Sequence, residues 1–125
     1  MRDERKHYVD GEWVTPLDGR DFPVINPATE EVAGQVSLGG AADVDRAVAA
    51  ARRAFEGYSQ TPREERIALL QRVIAEYKRR MDDLALAISE EMGAPLASVA
   101  KPMQAPSGLG HFKVALDTLR TFEFD

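Results

Sequence analysis

The feature that most constrains this chain is an apolar stripe. Ile67, Leu70, Ile74, Tyr77, Met81, Leu84 and Ile88 follow one another at alternating steps of three and four, the spacing of one helix face. Thr61-Pro62-Arg63-Glu64 precedes the stripe and reads as a capping box, with Thr61 as N-cap, Pro62 at the first helical position and Glu64 reaching back. Gly93 and Pro95 close it. The pattern predicts one helix over 62–92, about 31 residues and ~46 Å long. A compact domain of 125 residues is only about 36 Å across, so such a rod outruns its own globule. It must protrude, pair with a second copy or belong to something larger, and its heptad-like spacing also admits an antiparallel coiled coil.

The rest of the chain is arranged around this helix. Residues 1–40 read as strands and turns. In Tyr8-Val9-Asp10-Gly11-Glu12-Trp13-Val14, Asp-Gly supplies the positive φ angles of a type I′ hairpin turn. Asn26-Pro27-Ala28-Thr29 separates a second pair of strands, and Pro23 confines its strand to an edge or a bulge. From residue 41 the hydrophobic period lengthens, and Val44, Ala47, Val48, Ala51 and Phe55 predict a helix over 41–57 with Asp43 and Asp45 in its first turn. Pro95, Pro102 and Pro106, with Ser107, Gly108 and Gly110, predict a kinked helical segment over 95–125 that turns regular only after about residue 108. The final Thr121-Phe122-Glu123-Phe124-Asp125 brings in apolar residues without a turn and reads as leading into further structure. The expected fold class is α+β: N-terminal β-hairpins, then long antiparallel helices, in a single incomplete segment.

Charge and composition narrow the function. With 16 Lys and Arg against 21 Asp and Glu the net charge is −5, which disfavours nucleic acid and anionic membranes as partners. The chain has no cysteine, so it offers no disulfide, thiolate zinc site or thiol nucleophile. No apolar run approaches the roughly 18 residues of a membrane span, and the charged start lacks a signal peptide's apolar stretch, so the expected location is cytoplasmic. His7 and His111 lie far apart with no carboxylate pair at ligand spacing, so no metal site is expected. Glu30-Glu31, Asp82-Asp83 and Glu90-Glu91 are neighbours whose side chains diverge, which makes a poor acid/base pair. Gly39-Gly40 and Gly108-Leu109-Gly110 are too short for a phosphate cradle. Arg52-Arg53 and Lys78-Arg79-Arg80 read as solvated helix faces. The residues by themselves outline an architecture and no catalytic, cofactor or metal site.

A resemblance goes further. Tyr8-Val9-Asp10-Gly11-Glu12-Trp13, Val24-Ile25-Asn26-Pro27-Ala28-Thr29, Asp43-Val44-Asp45 with Ala47-Val48, Ala50-Ala51-Arg52 and Ala54-Phe55, then Arg63, Arg66, Leu70 and Glu90-Glu91-Met92-Gly93-Ala94-Pro95, resemble in order and spacing the amino-terminal region of NAD(P)-dependent aldehyde dehydrogenases. Tyr58 stands where that pattern has tryptophan. The resemblance implies an incomplete part of an α/β, Rossmann-type enzyme that uses NAD or NADP. A cysteine thiolate in the complete enzyme attacks the aldehyde, hydride passes to the nicotinamide, and a glutamate activates the water that releases the acid. All those residues belong to regions beyond this segment, so the chain alone is expected to be inactive and to bind no cofactor. The resemblance also places the segment after the long helix near the substrate entrance, which makes Gln104, Leu109 and His111 the candidate entrance residues. The expected partners are the remaining domains of the enzyme or a second copy in a homo-oligomer, drawn together over the uncovered stripe. The alternative is a free-standing helical interaction module.

Overall fold

A computed structural model describes residues 2–124, which form two compact units, Met1–Gln60 and Thr61–Asp125. The first unit joins five short strands to one helix: β1 (Arg2–Glu4), β2 (His7–Val9), β3 (Glu12–Val14), β4 (Arg20–Ile25), β5 (Val32–Leu38) and α1 (Ala41–Tyr58). β2 and β3 form the predicted hairpin, with Asp10 and Gly11 at φ 57° and 83° in its two-residue turn. Tyr8 and Trp13 face each other across it with ring centroids 5.3 Å apart. The other sheet has the order β1-β5-β4, with β1 parallel and β4 antiparallel to the central β5. Pro23 lies on the edge strand β4, where a missing donor costs no ladder bond. The Asn26 carboxamide accepts from Ala28 N–H at 2.9 Å and starts the turn into β5.

Two carboxylates tie α1 to the strands: Asp10, in the hairpin turn, accepts from Arg53 at 2.8 Å, and Asp43 holds the start of the helix. Asp43, in the first turn of α1, accepts backbone N–H bonds from Leu17 at 2.7 Å, Asp18 at 3.3 Å and Gly40 at 3.0 Å. The predicted helix face meets less cover than its pattern suggests. Val44, Val48 and Phe55 remain 59%, 44% and 67% exposed and Ala47 is half-buried, while the buried positions of α1, Asp43 and Ala50, lie off that face.

The second unit contains α2 (Arg63–Arg79), α3 (Met81–Met92), a π-helical segment (Leu96–Gln104) and α4 (Ala105–Thr121). Three expectations need correction here. The helix expected over 62–92 is broken at Arg80, whose φ and ψ of −103° and 12° leave the α region. The cause is tertiary. Upstream of the break Ile74 packs with Leu109 and Leu116 of α4, and downstream of it Ala85 packs with Ala100 and Ala105. The two halves, ~26 Å and ~18 Å long, serve different partners. Most of the stripe packs inside its own unit: Ile67, Leu70, Tyr77 and Met81 lie partly buried against the first cluster and Met81 and Ile88 against the second, while Leu84 is half-buried outside both.

Second, Thr61 is no N-cap. Pro62 occupies that position with ψ 155°, the helix starts at Arg63, and no side chain caps it. The Thr61 carbonyl instead accepts from Arg66 Nε at 2.9 Å. Third, the prolines do not stop the helix before residue 108. The wider π turn carries Pro102 inside it, relieving the clash a proline ring makes with an α turn, and Pro106 falls in the first turn of α4, where its missing donor is not needed. At the far end of α4 the Arg63 guanidinium donates to the carbonyls of Arg120, at 3.2 Å, and of Phe122, and lies 5.4 Å from the Phe124 ring centre. Among the described residues no helix is long and apolar enough to cross a membrane.

Two substitutions check this account. Gly11→Val forces a β-branched residue to φ 83° with open space around it, so the loss is backbone strain alone, about 1–2 kcal/mol. A lowered denaturant midpoint is expected. Thr61→Ala removes a side chain that caps nothing and is expected to shift stability by less than about 0.5 kcal/mol in the same measurement.

Candidate functional site

The three candidate residues lie where the π-helical segment hands over to α4. The Ala105 N–H bonds back to the Ala100 carbonyl, five residues earlier, and Ala85, Ala100 and Ala105 are 1%, 0% and 0% exposed at that point. Only methyl-sized side chains let α3 approach the turn so closely. Lys101 Nζ pairs with Asp82 at 2.9 Å on the same stretch.

Helical phase separates the candidates. At about 100° per residue, Ala105, Leu109, Phe112 and Leu116 share one face of α4, with Gly108 at its edge toward Tyr77; His111 falls outside that face, and Gln104 precedes it in the π-helical segment. Leu109 is 8% exposed in the cluster with Ile74 and Leu116, so its side chain packs in the core of this unit. His111 is exposed and Gln104 half-buried. The Gln104 Oε1 atom is buried and has no hydrogen-bond donor among the described residues. A buried acceptor left in that state costs about 1–3 kcal/mol.

Sequence reasoning placed Tyr77 in the apolar stripe and missed its polar end. Its hydroxyl donates to the Ala105 carbonyl at 2.9 Å, and its ring lies 5.7 Å from that of Phe112. A Cβ added at Gly108 would overlap that hydroxyl and come 3.0 Å from Tyr77 Cζ. A glycine inside a helix costs about 1 kcal/mol relative to alanine, so Gly108 was the available signal that something approaches closely there.

The paired glycines of the first unit are used in packing and capping. The Gly40 N–H at the start of α1, which an anion would seek, is taken by the Asp43 carboxylate. A Cβ at Gly39 would come 2.9 Å from the His7 ring, and one at Gly40 2.9 Å from the Asp18 carboxylate, so both glycines serve close packing. His7 Nε2 lies 2.8 Å from the Ser37 carbonyl oxygen and donates to it. A hollow of roughly 670 Å³ lies beside Trp13, Leu17 and Ser37; of the charges at its edge Arg5 bonds Asp3 at 2.7 Å and Asp21 at 3.1 Å, and Glu4 and Lys6 also line it. Arg5 holds the Asp3 carboxyl below the usual range. The Asp43 carboxyl is held below it chiefly by the Leu17 N–H, with those of Gly40 and Asp18 adding to the effect. Among the described residues no three potential ligands gather to hold a metal ion.

Comparison with known proteins matches this arrangement to one family. The sequence profile of the aldehyde dehydrogenase family matches residues 13–124. A 3-succinoylsemialdehyde-pyridine dehydrogenase of Pseudomonas sp. is 51% identical over all 125 residues, and a putative aldehyde dehydrogenase of Staphylococcus aureus 46%. The chain spans about a quarter, 26%, of the length of each. An aldehyde dehydrogenase from Bartonella henselae superposes with a TM-score of 0.95 at 35% identity, over 99% of this chain and 26% of its own. Aldehyde dehydrogenase C of Pseudomonas syringae, solved with NAD+ and octanal, gives 0.92 at 49% identity over 96% of this chain and 24% of its own.

The geometry at Asp43 generates a pH prediction. Its folded-state carboxyl titrates below the unfolded value of about 3.9, so its contribution is complete above that pH and is lost as pH falls through the lower folded value. Asp43→Asn is expected to lower the denaturant midpoint at neutral pH and to flatten its fall below about pH 4. Equal acid sensitivity in both proteins, measured by urea titration across the acid range, contradicts the assignment.

Proposed function

The chain belongs to the aldehyde dehydrogenase family, as an N-terminal region of it, and from that premise we propose that it works as part of an enzyme that oxidises an aldehyde to a carboxylic acid with NAD or NADP. The observation that carries this reading is the close superposition, over nearly the whole chain, on a dehydrogenase solved with NAD+ and octanal. A free-standing interaction module has no support among the comparisons. A cytoplasmic location and a homo-oligomer of the complete enzyme belong to the same reading.

No step of the chemistry is assigned to these residues. The chain contains no thiol to act as nucleophile, and at the helix N-terminus preceded by paired glycines the Gly40 N–H is already taken by Asp43 rather than left for a dinucleotide phosphate. Their contribution is structural and, in the second unit, concerns access. Gln104 lies in the turn before α4 and His111 on α4, and we assign them to the approach by which the aldehyde reaches the reacting centre. Gln104 would offer its unpaired carboxamide oxygen to a donor there. Leu109 supports that wall from the core side.

The experiment compares two proteins. The complete reading frame containing these residues is expected to form reduced nicotinamide in the presence of an aldehyde, followed by absorbance. The 125-residue chain by itself is expected to do neither that nor bind NAD or NADP more tightly than about millimolar, a threshold of about −4 kcal/mol by calorimetry. A complete protein without aldehyde-dependent turnover would overturn the reading. Tight cofactor binding by the 125-residue chain would overturn the expectation that it binds no cofactor alone.

A further inference from the structure

We infer that Tyr77 is a positioning residue for Gln104, and that the glycine at 108 exists to admit its hydroxyl; the inference rests on the reading of Gln104 as a residue of the aldehyde's approach. Three observations converge on one turn. The change from π to α helix falls between Gln104 and Ala105, so the direction in which Gln104 leaves the backbone depends on where that change is fixed. Two contacts fix it: the Ala85, Ala100 and Ala105 cluster on one side, and the Tyr77 hydroxyl, which donates to the Ala105 carbonyl at 2.9 Å, on the other. The hydroxyl reaches that carbonyl because position 108, one turn on, has no Cβ to block it.

The cluster and the hydroxyl differ in what they can do. Methyl packing sets the distance between elements but tolerates rotation about the helix axis. A directional hydrogen bond to the first carbonyl of α4 opposes that rotation. Gln104 sits immediately before this carbonyl with a buried acceptor that no described residue satisfies, an arrangement that persists only where the surroundings hold it. Gly110, two positions further, has nothing within 4 Å of where its Cβ would stand, so close approach is specific to Gly108.

Steady-state kinetics of the complete enzyme test this, with a short aldehyde (acetaldehyde) and a long one (octanal) as probes. Tyr77→Phe removes one hydroxyl and keeps the ring against Phe112. It is expected to raise KM for octanal by about three- to tenfold, the order of one neutral hydrogen bond, with kcat within about twofold and acetaldehyde little affected. Gln104→Ala should reproduce that selective rise. Gly108→Ala should do so as well, and the Tyr77→Phe/Gly108→Ala double variant should show less than the two single effects combined, because the hydroxyl that the new methyl overlaps is gone and only the ring carbon Cζ, 3.0 Å away, has to give. A protein that merely loses stability would lower active fraction equally for both aldehydes. If Gln104→Ala shifts octanal KM and Tyr77→Phe does not, the positioning role is wrong and the assignment of Gln104 stands. If Gln104→Ala itself leaves both aldehydes unchanged, that assignment falls. Should Gly108→Ala fail to fold, the Tyr77→Phe result decides alone.

Discussion

The first unit depends on the Asp43 carboxylate. No large side chain in the described chain is fully buried, so hydrophobic packing alone defines this layer poorly. Asp43 supplies what packing does not. By accepting from Leu17, Asp18 and Gly40 it fixes the segment between the hairpin and β4 against the start of α1, and it satisfies backbone donors that would otherwise be left open at a helix N-terminus. The glycines around it follow from that clamp. Gly19 passes so close to Ser37 that a Cβ would come 2.6 Å from its hydroxyl oxygen, and Gly39 and Gly40 pack against His7 and Asp18. An anion-binding reading of Gly39-Gly40 fails for the same reason: the chain already holds its own anion there.

In the second unit small residues perform the comparable task. Ala85, Ala100 and Ala105 allow α3, the π turn and α4 to meet at backbone distance, and Gly108 admits Tyr77 at the next turn. Close contact between backbones brings the unusual helix geometry with it. A π turn adds a residue without breaking the rod, and its wider ring accommodates Pro102. What looked like a run of helix breakers is thus a run of residues suited to one wide turn, followed by an ordinary helix with proline near its start.

What was legible in the sequence was local. The hairpin at Asp10-Gly11 was readable because positive φ is a property of two adjacent residues, and the edge position of Pro23 because a missing donor has one tolerable place in a sheet. The break at Arg80 was not, since the stripe runs through it without interruption and only the change of packing partner explains it. Thr61 failed as a cap because Pro62 stands outside the helix rather than in its first turn, a difference of one residue that the local pattern does not encode. Once α4 begins at Ala105, Leu109 falls with Phe112 and Leu116 on the core side, while Gln104 and His111 fall elsewhere. Gln104, Leu109 and His111 themselves came from the family resemblance, because a carboxamide and an imidazole seven positions apart carry no chemical signature of their own.

The same contrast bears on which surfaces are unfinished. The long stripe, patterned for burial, finds most of its cover within sixty residues of sequence, on α4 and the π turn. The α1 face is patterned just as clearly, yet Val44, Val48 and Phe55 stay open, and on the sheet Phe22 and Leu38 are 50% and 41% exposed. Scattered apolar exposure is ordinary, but exposure that follows a helix repeat is a face made to be covered. A chain spanning 26% of its relatives' length has most of the family's surface-covering mass outside it. The stripe packs because its partners follow it directly in the chain, whereas the strands that precede α1 in its own unit leave Val44, Val48 and Phe55 open.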